Sequence, residues 1–400
     1  MPMDAAGIHY TERAVALCRD LVACPGVSGD EGATARVLAD AMRRMGFDSL
    51  HVDRYGNVIG RIHGTGAGPC VLLDGHMDTV PVPDPAVWNR QPFGGEIVDG
   101  KLYGRGASDM KGALACMVSA AALFAAETER KFNGSLCVAG TVHEECFEGI
   151  ACREISAAIR PDYVIIGEAS ELNLKTGQRG RAEIVLQTFG KPAHSANPDA
   201  GANAVIMMIH LLERVEAFAP PTHPVLGQGI TVVTDIVSSP YPGSSVVPAR
   251  CRATCDRRLL VGEIQEDVLR PFQTAIAELS GQFADFHATA SIARGEAQCY
   301  TGQSIEAERF YPAWLFDENE PFVQAALAWL RAAGLDPAVS HYSFCTNGSH
   351  YAGEAGIPTL GFGPSLERLA HTVDEYIEID QISRGVAGYA AIVGGLLCQR

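Results

Sequence analysis

Apolar residues fall at helical spacing over residues 11–24, with Val15, Leu17, Leu21 and Val22 on one side, and again over residues 31–45, where Gly46 supplies a stop. Short apolar runs at residues 51–53 and 58–62 read as strands around the turn Tyr55-Gly56-Asn57. Residues 71–73 are continuous apolar positions without polar alternation, the pattern of a buried strand. Similar runs recur at 134–141, 163–166 and 358–362, interleaved with helical stretches at 113–126, 321–333 and 382–398. Strands alternating with helices predict an α/β domain built on a mixed sheet with helices on both faces.

The texture changes after Arg179-Gly180-Arg181. Residues 182–188 alternate as a half-buried strand, and a helix over 202–218 follows. Strands at 229–237 and 249–257, a helix at 264–279 and a strand at 286–292 complete a β-α-β-β-α-β series of ferredoxin-like α+β type. The predicted organisation is therefore one domain in two parts, residues 1–180 and 298–400, interrupted by an inserted domain over residues 181–297.

Composition fits this picture. A chain of 400 residues exceeds one ordinary core, and 47% apolar with 20% charged residues is that of a globular protein. The formal net charge of -16 argues against nucleic acid and anionic membranes as partners, though not against small anionic substrates. Met1-Pro2-Met3-Asp4-Ala5 has neither a basic start nor an apolar stretch, and the Ala-rich run at 112–126 is short for a membrane span, so a cytoplasmic location is expected. Reduced thiols are expected for the twelve cysteines in that setting, with Cys251 and Cys255 read as strand positions facing the same way. The Met207-Met208 pair reads as helix core, and His143, His341 and His350 as structural.

The chemistry lies where the strands end. The run at 71–73 passes into Asp74-Gly75-His76-Met77-Asp78-Thr79-Val80. Gly104-Arg105-Gly106-Ala107-Ser108-Asp109 precedes a helix, so Asp109 is either an N-cap or a ligand on an unusually free backbone. The strand at 134–141 ends in His143-Glu144-Glu145, and the strand at 163–166 in Gly167-Glu168. Ala370-His371-Thr372 follows the strand at 358–362. Open α/β sheets build their sites outside these strand ends. A solvated loop explains one acidic strand end, but converging metal ligands explain all of them. His76, Asp109, Glu145, Glu168 and His371 offer two imidazoles and three carboxylates, a set that suits two zinc, cobalt or manganese ions with one carboxylate shared. In the Glu144-Glu145 pair, one residue can ligate while the other serves a water as base. No Gly-x-Ser-x-Gly nucleophile motif, phosphate loop or dinucleotide fingerprint is present.

Taken in order, these motifs resemble the metal-dependent family of acetylornithine deacetylase, succinyl-diaminopimelate desuccinylase, aminoacylase and glutamate carboxypeptidase, from about residue 10 to the C-terminus. Asn347-Gly348-Ser349 and Ala355-Gly356-Ile357-Pro358 are most similar to its selenium-metabolism-linked branch. The resemblance implies a dinuclear zinc amidohydrolase that cleaves the amide of an N-acyl amino acid or small dipeptide. His76 and Glu168 would hold one metal, Glu145 and His371 the other, and Asp109 would bridge. Asp78 would orient His76, Glu144 would be the general base, and a cis peptide would follow Asp109. The inserted domain would act as lid and dimer contact, and His194 would reach the partner subunit's site to help stabilise the oxyanion. On residue type alone, His194 can also be read as a turn residue, the lesser of the two readings.

Asp256-Arg257-Arg258 matches the family's Asp-x-Arg element, which makes Arg258 the contact for the substrate carboxylate, with Arg257 its competitor. Ser245 stands where the family often has asparagine, and Asn347 and Gly348 complete the expected substrate contacts. An N-carbamoyl or allantoate-type amidohydrolase is the alternative. Pro81-Val82-Pro83-Asp84-Pro85 replaces the glycine-rich run that reading needs. A relative that merely binds metabolites would be expected to lack ligands or base, and all are here.

Overall fold

A computed structural model describes residues 5–398. The first four residues of the stretch read for a leader lie outside them. In chain order, helices α1 (Ala5–Val22) and α2 (Gly32–Arg44) lead into strands β1 (Ser49–Val52), β2 (Val58–His63) and β3 (Gly66–His76). Helix α3 (Gly112–Glu127), β4 (Asn133–Thr141), α4 (Cys152–Ile159), β5 (Tyr163–Ile166) and β6 (Leu174–Gln178) follow. Then come β7 (Gly180–Phe189), α5 (Ala204–Glu216), β8 (Ile230–Ser239), β9 (Arg250–Leu259), α6 (Gln265–Gln282) and β10 (Ala288–Ile292). Helix α7 (Pro321–Ala332), β11 (Thr359–Gly361) and α8 (Ile379–Leu397) end the chain.

The chain divides into two compact units. One comprises residues 1–178, 296–306 and 315–400, and the other residues 179–295 and 307–314. The single insertion expected at 181–297 is thus joined by a second excursion, because Phe310–Tyr311 adds a short strand beside β7.

The larger unit is built on a nine-stranded sheet whose central run is β1-β2-β4-β3-β5-β11-β6. It is mixed: β4, β3, β5 and β11 run parallel, β1 and β2 are antiparallel to their neighbours, and β6 is antiparallel to β11. On one face Cys70, Leu72, Cys137, Ala139, Val164 and Ile166 pack on Cys152 and Ile155 of α4. Alternation sends the next residues of β3 to the opposite face, where Gly75 lies against Leu114 and Met117 of α3. Helix α3 is apolar all round and buried in all but its last two residues, as a helix enclosed by others must be. The segment Ala107–Glu127 is long and apolar enough for a membrane span, and 89% of that window is buried inside the protein.

The smaller unit has sheet order β8-β9-β7-β10 with antiparallel neighbours and the β-α-β-β-α-β chain order of a ferredoxin-like fold. Met207, Met208 and Leu211 of α5 and Val268, Phe272 and Leu279 of α6 cover one face together with Cys251 and Cys255. Asn203 starts α5 by accepting the amides of Val205 and Ile206 on its side chain. All twelve cysteines are free thiols.

A candidate metal centre at the strand ends

Three parallel strands deliver the site. His76 closes β3 in register with Thr141 at the end of β4, Glu144 and Glu145 follow β4, and Glu168 follows β5. A glycine stands before a site residue on two of these strands for a packing reason. A Cβ on Gly75 would lie 2.9 Å from the Met110 methyl, and one on Gly167 would lie 2.0 Å from that of Met117 and 2.6 Å from that of Met110. The two glycines therefore let the segment that carries Asp109 settle onto the strand ends. The Asp109–Met110 peptide is cis.

Asp109 stands between the two imidazoles. Its Oδ1 lies 3.0 Å from His76 Nε2, and its Oδ2 3.2 Å from His371 Nε2. Glu168 approaches His76 Nε2 to 3.6 Å, and Glu145 approaches His371 Nε2 to 3.0 Å. All five residues expected as ligands are thus brought together, with one carboxylate facing both rings. Glu144 is equally close in: its carboxylate joins His76 and Glu168 in a group whose donor atoms lie within 4.8 Å of one another. Distance alone does not separate it from the ligands.

The electrostatics describe a site short of positive charge. Burial and the charge of Asp109 push Glu168 up to about 8. Burial, with Glu168 and Glu145 nearby, holds Glu144 well above the ordinary carboxylate range. Burial opposes ionisation of Asp109 too, but hydrogen bonds from His371 and His76 keep it below its usual value. Burial alone would keep His76 neutral, yet Asp109, Glu168 and Glu144 raise it well above its ordinary value. His371, hydrogen-bonded to Asp109 and Glu145, is raised to about 10. Divalent cations fit this donor set, since mixed imidazole and carboxylate ligands are what zinc and its neighbours take, and the buried carboxylates need a counter-charge.

Asp78 meets the His76 ring chiefly through its backbone: Nδ1 donates to the Asp78 carbonyl at 2.9 Å, and the nearest carboxylate oxygen lies 3.6 Å away. The Asp78 side chain accepts the amides of Glu144 and Glu145 at 3.1 and 3.2 Å and the Ser28 hydroxyl at 2.7 Å. It holds the Glu144-Glu145 turn, and Glu31 takes the preceding amide, that of His143, at 3.1 Å. Asp78→Ala is therefore expected to lower turnover through a displaced Glu144 while changing metal affinity for the His76 side by less than about tenfold, below the usual cost of losing an imidazole's outer partner. Calorimetric metal titration beside steady-state kinetics checks this, and lost His76-side metal with unchanged kcat in the metal-saturated variant would contradict it.

Asn347 and Gly348, expected as substrate contacts, have partners within the larger unit. Asn347 is buried, donating from Nδ2 to Asp74 at 2.9 Å and accepting the Gly149 amide at 2.9 Å. The Gly348 amide is spent on the Thr346 hydroxyl at 3.0 Å. These residues tie their loop to β3 through Asp74, which also accepts from Thr141 and Tyr351.

In the smaller unit, Arg257 is buried and bound to Glu263 at 2.6 Å, whereas Arg258 keeps 30% of its side chain exposed and is steadied by Asp256 at 2.9 Å. His194 is exposed, and its Nδ1 accepts the Ala196 amide at 3.0 Å, which leaves the proton of a neutral ring on Nε2. Ser245 adopts a left-handed backbone, and its carbonyl accepts the Ser195 amide at 3.0 Å.

Sequence reading passed over Glu375. Fully buried, it takes the amides of Ser108 and Asp109 on one oxygen and Arg105 on the other. The available signal was its position, four residues after His371 in a polar stretch that follows a strand.

The family model for peptidase family M20/M25/M40 matches residues 72–394. Among curated proteins, the uncharacterised protein YgeY of Escherichia coli K12 is 32% identical over 380 residues, covering 94% of this chain and 92% of that one. A succinyl-diaminopimelate desuccinylase of Cereibacter sphaeroides is 30% identical over 390 residues, covering 95% and 97%. Among solved structures, the dipeptidase Dug1p of Saccharomyces cerevisiae superposes with a TM-score of 0.74 at 14% identity, covering 98% of each chain. YXEP of Bacillus subtilis, described as a dinuclear metal binding peptidase, gives 0.71 at 15% identity, covering 98% of this chain and 100% of that one.

Proposed function

This chain belongs to peptidase family M20/M25/M40 and is a metal-dependent amide hydrolase, and from that premise we propose that it removes the acyl group from an N-acyl amino acid or cleaves a small dipeptide-like substrate. The observation that carries this reading is Asp109, whose two oxygens face His76 and His371 at 3.0 and 3.2 Å. His76 and Glu168 form one half of the centre, His371 and Glu145 the other, and Asp109 is shared. Two divalent cations bound there, zinc foremost, would polarise the scissile carbonyl and acidify the attacking water.

The remaining residues divide the other tasks. Glu144 takes a proton from the attacking water and delivers it to the leaving nitrogen as the C–N bond breaks, giving a carboxylate and an amine. His194, with its proton on Nε2, donates to the developing oxyanion of a partner subunit's site. Arg258 pairs with the substrate carboxylate, a role for which Arg257 is already committed to Glu263. Ser245 completes the substrate side. A homodimer fits the apolar outer surface of the edge strand β8, where Ile230, Val232 and Ile236 are exposed. The cytoplasm is the proposed location.

A screen of N-acetyl, N-succinyl, N-formyl and N-carbamoyl amino acids and of dipeptides, each with zinc, cobalt and manganese, tests the assignment. Metal-dependent release of free amino acid from an N-acyl or dipeptide substrate is the expected result. Turnover confined to N-carbamoyl compounds, or none by fully metallated protein, would overturn it.

A further inference from the structure

We propose that Arg105 and Glu375 form a buried brace that fixes Asp109 and His371 relative to each other and thereby sets the affinity of the centre for its second metal ion. The inference rests on the reading of Asp109 and His371 as ligands.

The two halves of the brace are arranged reciprocally. Arg105 lies four residues before Asp109, and Glu375 four residues after His371. Their side chains pair at 2.6 Å, with both charges buried. Each then reaches the other's neighbour. Glu375 Oε1 accepts the Ser108 and Asp109 amides at 2.9 and 3.0 Å, and Arg105 Nη2 donates to the His371 carbonyl at 3.4 Å. A small sheet brings the segments together: Lys101–Tyr103 pairs antiparallel with Tyr376–Glu378, and the Gly104 amide continues the pairing to the Glu375 carbonyl at 2.8 Å. The Trp88 ring lies over the guanidinium, 5.2 Å from its carbon.

A buried ion pair is costly to desolvate, and an apolar pair of similar size commonly serves stability as well. An apolar pair would not satisfy the Ser108 and Asp109 amides, nor hold His371, which sits at φ 62 where a non-glycine residue needs support. The contacts thus bear on Asp109, which both halves share, and on His371, which only the second half has, so their loss falls mainly on that half, with Arg105 and Glu375 acting as positioning residues.

The test compares the wild-type protein, Glu375→Gln and Arg105→Lys. Each is stripped of metal and titrated with zinc by calorimetry, with circular dichroism and thermal unfolding of the metal-free proteins alongside. Glutamine keeps an acceptor for the two amides but turns an N–H toward Arg105. Lysine keeps the charge beside Glu375 but loses the fork that reaches the His371 carbonyl. The expected result is native-like metal-free fold, first-metal affinity within a few-fold of wild type, and second-metal affinity weakened by about 10–100-fold, the range known for outer partners of ligands. Two equivalents bound at wild-type affinity by folded variants would overturn the brace. If Glu375→Gln fails to fold, Arg105→Lys carries the test alone. A wild-type protein that itself takes up fewer than two metals would instead defeat the dinuclear reading, and is thereby told apart.

Discussion

Replacement of Glu144 by glutamine is expected to leave two divalent metals bound while turnover of the best N-acyl substrate falls roughly 10²–10⁴-fold, the range general-base catalysis contributes. The side chain keeps its size but can no longer take a proton. Its backbone should stay in place, because the Glu144 and Glu145 amides are held by Asp78 and that of His143 by Glu31. The variant also decides a point of geometry. Glu144 lies near His76 and Glu168 at a ligand's distance, whereas Glu145 touches His371 directly. Metal analysis beside kinetics separates the two roles: loss of one metal equivalent would make Glu144 a ligand, and full turnover would remove it from the mechanism.

Asp109→Ala should have the largest effect on metal binding. The substitution removes the carboxylate that meets His76 on one oxygen and His371 on the other. Both halves of the centre lose a ligand at once, so affinity should fall by more than the roughly 10–100-fold that an outer partner is worth. Activity should vanish with it. Elemental analysis after gel filtration gives the readout, and a variant that retains two metals would sink the bridging assignment.

The strand ends were legible because their apolar runs are continuous and their acidic termini are not explained by packing. The runs at 134–141 and 163–166 reappear as β4 and β5 with little change. Strand β6 was not legible. Its buried positions include Lys175, Thr176 and Gln178, polar residues whose partners come from far along the chain: Glu367 for Lys175 at 2.9 Å, and Thr346 for Gln178 at 2.6 Å. Hydrophobic patterning cannot find a strand whose interior is satisfied by hydrogen bonds. How Asp78 meets His76 was not legible either: its backbone carbonyl reaches the imidazole at 2.9 Å, a contact that residue type does not encode. The partners of Asn347 were hidden too, because both ends of its amide are engaged by residues far along the chain.

The enclosure of α3 carries a consequence for lifetimes. Its amides, shielded along nearly the whole helix, should be among the slowest in the larger unit to exchange with solvent deuterium, since such helices open only with their core. Asp109 stands three residues before that helix, and His76 ends a central strand. His371 instead rides on a loop with half of its side chain exposed, its ring held by Asp109 and Glu145 and its carbonyl by Arg105. The proposed centre thus joins a long-lived half to a short-lived one. On warming or under a chelator, His371 and Glu145 should release their ion first, so that a half-loaded protein precedes the empty one.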